Sequence, residues 1–273
     1  SQTLLNTYFG HFIDPDLGCS NDDFTGCDVK RGLGYAYNWD DNDEACLGAV
    51  GYGAQPPAVG VDFFEGPFKD ADGADNPGPD QNLTCQEYQA QGGIPYAGIG
   101  IGYGDGVLDN ERFGMRAFIY FNRESTNANM TDPSNFTHFY NYLRSIWKNN
   151  LNQTYGGIGY DESPGATRAF YMFPGESDPV GWGTNCVPQT PWSEIAPTPA
   201  QPDRRFVQSA GPFTLEPGAY NNITVGVVWA RANAGGAAAS LGPLRVADDK
   251  AQALFDNCFK ILDGPDAPDI TIQ

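Results

Sequence analysis

Acidic side chains in this sequence are gathered into short loops rich in Gly and Asn, and their crowding limits what the chain can fold into. Asp70, Asp72 and Asp75 flank Gly73 and run into Asn76 and Asp80. Gly104-Asp105-Gly106 leads through Asp109 and Asn110 to Glu111. Nearer the start, Asp14 and Asp16 precede Asp22, Asp23 and Asp28, and Asn38-Trp39-Asp40-Asp41-Asn42-Asp43-Glu44 follows. Carboxylates this close repel one another unless they are protonated or neutralised. Ca²⁺ collects six to eight oxygens from flexible loops of this kind. The sequence therefore nominates Asp14, Asp16, Asp22, Asp23, Asp28, Asp40, Asp43, Asp70, Asp72, Asp75, Asp105, Asp109 and Glu111 as calcium ligands. The competing role is a solvated turn in which Asp and Asn only cap backbone groups. A standard EF-hand is excluded: counting from Asp70, Gly73 falls at position 4 and Gln81 at position 12.

The balance of 34 acidic against 15 basic residues gives a formal net charge of -19 over 273 residues. Such a surface repels phosphate backbones and anionic lipid, so neither nucleic acid nor membrane insertion is expected. Apolar content of 40% and aromatic content of 13% argue against a disordered chain. Six cysteines (Cys19, Cys27, Cys46, Cys85, Cys186, Cys258) form no C-x-x-C pair. An even number in such a chain fits disulfides and an extracellular or cell-surface setting. Cys19 and Cys27 are near enough in sequence to close a small loop, and the connectivity stays open.

With Gly 34 and Pro 21, about a fifth of the chain favours short elements and long ordered loops. The fold expected is mainly β (α+β), a β-sandwich-like core with Gly/Pro/Asp-rich loops and two packed helices. Residues 1–125 read as the acidic, loop-rich part. Residues 126–264 read as a helix and β-sandwich-like part closing the same domain, and 265–273 as the start of a linker to a following module. Residues 1–60 alternate turn chemistry with short aromatic stretches such as Gly34–Tyr37, and Pro56–Phe64 reads as a loop entering a buried strand. Strands are expected over Gly114–Phe121, Phe206–Leu215 and Asn222–Ala230. Residues 65–95 read as loop, and Ile99–Gly104 as a Gly-alternating strand. One helix is expected from Asp132 to about Asn150, carrying Phe136, Phe139, Tyr140, Leu143, Ile146 and Trp147 at helical spacing. A second is expected from Leu244 to Leu262.

Catalytic motifs are absent: the chain has two histidines, no H-E-x-x-H and no G-x-S-x-G. Loop aromatics Trp39, Trp182 and Trp192 offer a sugar-stacking platform, against the alternative that they anchor packing. Carbohydrate hydrolysis would need two carboxylates at a suitable separation, which the sequence does not locate.

Several phrases, Phe12–Gly18 with Asp22–Asp28, Arg31–Asn38, Pro56–Pro67 and Arg205–Gly218, resemble a region of very large secreted surface proteins of Bacteroidota, many exported by the type IX system. The resemblance covers most of the chain. It implies a multidomain, cell-surface protein, adhesive or part of an appendage. Taken with the acidic loops, the even cysteine number and the missing catalytic motifs, the expectation is a non-catalytic, calcium-stabilised structural or adhesive module whose partners are neighbouring domains of the same long chain, glycans or other surface proteins. A glycan-binding module and a subunit of a homo-oligomeric surface fibre are the competing expectations.

Overall fold

The computed structural model describes residues 2–78, 82–93, 101–123, 125–194 and 203–260. Among them run β1 (Leu4–Ile13), β2 (Asp23–Asp28), β3 (Leu33–Asn38), β4 (Asn42–Asp43), β5 (Gly53–Ala54) and β6 (Ala58–Glu65). They are followed by α1 (Cys85–Ala90), β7 (Ala117–Asn122), α2 (Phe136–Tyr142), β8 (Arg204–Leu215), β9 (Thr224–Ala230) and α3 (Leu241–Asp256). Two antiparallel sheets dominate, with strand orders β1-β8-β7 and β2-β3-β6-β9. The β-rich α+β architecture matches the expectation.

The sheets face each other over an aromatic core in which Phe63, Phe118, Phe121 and Trp147 are fully buried and Phe206 nearly so. Each such side chain contributes about 1.5–3 kcal/mol by leaving water. At Gly34 on β3 the facing sheet leaves no room for a side chain: a Cβ would lie 2.2 Å from Gln208 Oε1 and 2.8 Å from the Phe206 ring. Gln208 Nε2 donates to Val61 O at 3.0 Å, tying the two sheets together. On the opposite face of the four-stranded sheet, α3 covers a smaller core of Phe24, Leu33, Tyr35, Val228 and Leu244. The order is therefore helix, sheet, sheet.

The two parts distinguished in the sequence interleave. β1 and β7 from the first share a sheet with β8 from the second, and β6 pairs with β9. β8 and β9 both form, but they join different sheets, so the turn between them crosses the sandwich.

Four expectations are corrected. α2 spans seven residues, capped by Asn135 and not Asp132, and Phe136 and Phe139 are exposed. Beyond Leu143 the backbone leaves the helix, with Ser145 at φ +52°, and Trp147 reaches the core from a turn. α1 sits inside the stretch expected to be loop. Its capping box, Thr84 with Glu87, is a signal already present in the sequence. Residues 101–104 form bends and turns, and α3 ends at Asp256. Asp80, Ile99 and the expected linker start at 265–273 lie outside the described residues.

The disulfides are Cys19–Cys46 and Cys85–Cys186, leaving Cys27 and Cys258 free. This corrects the Cys19/Cys27 loop. Cys27 lies within β2 with its side chain in the core, where Sγ donates to Met172 O at 3.2 Å.

The sheet edges are treated unequally. Outside β7, Phe118 exchanges backbone hydrogen bonds with Phe170 and Met172. Outside β2, Cys27 N–H donates to Phe173 O, while Thr25 and Val29 N–H donate to the Glu194 and Ser177 side chains. β1 and β9 form the opposite side, where Phe9 and His11 of β1 pack on Phe63 of β6, the neighbour of β9. Among the described residues neither has a strand on its outer edge.

Candidate metal centre

The β2–β3 hairpin brings two acidic segments together at its open end. Asp23 pairs with Asn38 in the ladder, and Trp39 N–H donates to Asp22 O at 2.8 Å. The Cys19–Cys46 disulfide then fastens the residues before β2 to those after β4. Carboxylate oxygens of Asp22, Asp40 and Glu44 consequently lie within 4.8 Å of one another.

Asp22 is only 6% exposed, and neither of its carboxylate oxygens has a hydrogen-bond partner among the described residues. Asn38 lies beside it but donates Nδ2 to Asp40 O at 3.1 Å and to Asp40 Oδ1 at 3.4 Å. The Asn38 Oδ1 is itself buried without a partner. Burial, then the charges of Asp43 and Glu44, push the Asp22 carboxyl up to about 6. Burial raises neighbouring Asp23 further, to about 8, although its Oδ2 accepts the Leu17 N–H at 2.9 Å. An ionised carboxylate in such a place must be protonated or acquire a positive partner. No ion pair among the described residues involves Asp22, Asp40, Asp43 or Glu44. Asp43 instead caps backbone, its two oxygens accepting the Cys19 and Tyr52 N–H groups, each at 2.8 Å.

A second acidic group, Asp14, Asp16 and Asp203, is equally close-set. Here Arg205 supplies the positive charge, reaching Asp14 at 3.0 Å, Asp203 at 3.0 Å and Asp132 at 2.7 Å. A planar guanidinium satisfies several carboxylates at once. Asp28 is likewise held by Arg31 at 3.0 Å and Arg245 at 2.9 Å.

The loops around residues 70–76 and 104–111 lock onto each other through backbone caps. Asp75 accepts the Gly104 and Gly106 N–H groups, both at 2.7 Å. In return, Asp109 accepts those of Asp72 and Gly73 at 2.7 and 2.8 Å, and Glu111 accepts that of Asn76. Asp70 holds Thr214 through its N–H and hydroxyl, both at 2.7 Å. Asp105 accepts from Val107 N–H and the Asn110 amide. The Lys69 ammonium, 2.6 Å away, lowers Asp72 to about 2. These carboxylates have partners that the Asp22 carboxylate lacks.

Glu44 is the member of this acidic group that sequence reasoning did not nominate, although it closes the same acidic run as Asp40 and Asp43. Buried Asp62 and Asp248 were missed as well; an Asp inside the apolar stretch Ala58–Phe64 was the available signal. Of the loop tryptophans, Trp182 and Trp192 are buried packing anchors and Trp39 is partly exposed. No family model, curated protein or solved structure matches this chain.

Proposed function

We propose that this chain is a non-catalytic, calcium-stabilised structural and adhesive module of a large extracellular surface protein, and that it assembles with neighbouring modules through an open sandwich edge. The observation that carries the reading is the contrast between the edges. Those of β2 and β7 are covered, whereas β9 presents Val225, Val227 and Trp229 at 40%, 72% and 51% exposure. Tyr52 extends this row, its ring 6.5 Å from that of Trp229. An apolar edge strand is a template for pairing with another chain unless it is blunted. Nearby Arg231 does little to blunt it, being occupied with the carbonyls of Gln55, Tyr52 and Ala54.

Two disulfides favour an oxidising compartment, and among the described residues no helix is long and apolar enough to cross a membrane. The resemblance to Bacteroidota surface proteins supports the same setting. Glycan binding has less support, because two of the three loop tryptophans are spent on packing.

Sedimentation velocity over a concentration series tests the assembly. Wild type should associate, and Val227→Lys should remain monomeric. A wild type that stays monomeric throughout, with no fibres in electron micrographs, counts against assembly through this edge.

A further inference from the structure

We propose that Asp22, Asp40 and Glu44, together with the Asn38 side-chain oxygen, form one Ca²⁺ site at the open end of the β2–β3 hairpin. This deepens the calcium reading above by giving it a place in the fold, and the test below separates the two.

Distance, burial and construction agree. Oxygens bound to Ca²⁺ at 2.3–2.6 Å lie at most about 5 Å apart across the ion. One oxygen from each of the three carboxylates falls within 4.8 Å of the others, so a single ion can touch all three. Asp22 is more than nine-tenths buried, with both oxygens unpartnered and one of them in this group. Asn38, whose Nδ2 lies 3.4 Å from Asp40 Oδ1, carries a fully buried, unpartnered Oδ1 that the site takes as a neutral oxygen.

The surrounding bonds hold the ligands in place. Asn42 orients two of them, donating its N–H to Asp40 Oδ1 at 2.9 Å and its Nδ2 to Glu44 Oε1 at 2.8 Å. Cys19 lies three residues before Asp22, and Cys46 two residues after Glu44, so their disulfide joins the two ends of the ligand set. Asp43 fixes the same two segments from behind by capping Cys19 and Tyr52. Outer contacts of this kind set the orientation and affinity of metal ligands.

The donor set selects the ion. It contains only oxygens, so thiolate- and imidazole-seeking metals are disfavoured. Mg²⁺ needs near-octahedral geometry at about 2.0–2.1 Å and keeps much of its water, whereas loop carboxylates and an amide oxygen suit Ca²⁺. The contrast with the Asp14–Asp16–Asp203 group is direct. There Arg205 already pairs with Asp14 and Asp203, while no cationic side chain among the described residues pairs with the Asp22 group.

Calorimetric titration of the metal-stripped protein with CaCl₂ tests the assignment, with Mg²⁺ titrated in parallel. Wild type should bind Ca²⁺ in preference to Mg²⁺, and Asp22→Asn should weaken Ca²⁺ binding at least 10-fold. The exposed Glu44→Gln should weaken it as well, which covers the case of a misfolded Asp22→Asn. Asp16→Asn, in the arginine-filled group, should leave it unchanged. Ca²⁺ binding that survives both Asp22→Asn and Glu44→Gln overturns this site while leaving calcium stabilisation intact. Absence of Ca²⁺ binding to wild type overturns both.

Discussion

Gly18 stands directly against the Asp43 carboxylate, since a Cβ placed on Gly18 would lie 1.8 Å from Asp43 Oδ2. Gly18 also has φ +73°, a conformation that side chains disfavour. Gly18→Ala must therefore displace Asp43 and release the Cys19 and Tyr52 N–H groups that it caps. The expected loss is about 1–3 kcal/mol. Urea unfolding should show a lower midpoint with an unchanged slope; an unaltered midpoint would refute the contact.

Asp62 on β6 and Asp248 on α3 meet at the helix–sheet interface, 1% and 2% exposed, and each keeps one oxygen without a partner. Asp28, Asp249, Arg31 and Arg245 surround them, and the two arginines are engaged by Asp28 and Asp249. Burial, then the charge of Asp248, raises the Asp62 carboxyl well above its ordinary value. Burial, then Asp249, raises Asp248 to about 7. Unfolded carboxyls titrate near 3.9. The folded state therefore holds more protons between about pH 4 and 7, and stability falls as pH rises through that window. Asp62→Asn should flatten this fall and exceed wild type at pH 8 by more than about 1 kcal/mol. Urea midpoints at pH 5 and pH 8 decide it, and parallel behaviour of the two proteins would be the contrary result.

The Cys85–Cys186 bridge closes a separation of 101 residues and ties α1 to the turn around Trp182, whose ring lies 5.6 Å from Tyr88. Replacing both cysteines with Ala should cost about 2–5 kcal/mol. Thiol titration checks the pairing itself. Cys258 should react in the native protein, and buried Cys27 should follow only on denaturation. Further reactive thiols in the unreduced, denatured chain would contradict the two bridges.

The reciprocal caps between the 70–76 and 104–111 loops do not need an ion. Asp75→Ala frees the Gly104 and Gly106 N–H groups and should lower stability by about 1–2 kcal/mol. That loss should be the same in Ca²⁺ and in EDTA. A loss seen only with Ca²⁺ would place an ion in these loops.

Much of the strand inventory could be read in the sequence. The apolar runs now seen as β6, β7, β8 and β9 carry the β-branched and aromatic residues that a half-buried sheet selects. β1 was harder to see, because its edge position leaves Leu4, Leu5 and Phe12 exposed and blurs the alternation. Phe136 and Phe139 misled for the opposite reason: helical spacing suggested a buried stripe, while the backbone turns away after Leu143. The acidic loops were legible as clusters but not as partners. Asp75 and Asp109 lie far apart in sequence from the N–H groups that they cap, and only the fold brings Asp22 to Asp40 and Glu44.

Thermal unfolding in millimolar Ca²⁺ against EDTA is the most direct trial of calcium as the stabilising ion. An ion bound only to the folded state adds about 2.7 kcal/mol at a hundredfold excess over its Kd. The melting temperature of wild type should therefore rise by several degrees with Ca²⁺, and that of Asp22→Asn should not. Superimposable wild-type curves in the two buffers would show that the acidic segments are held by hydrogen bonds, protons and disulfides alone.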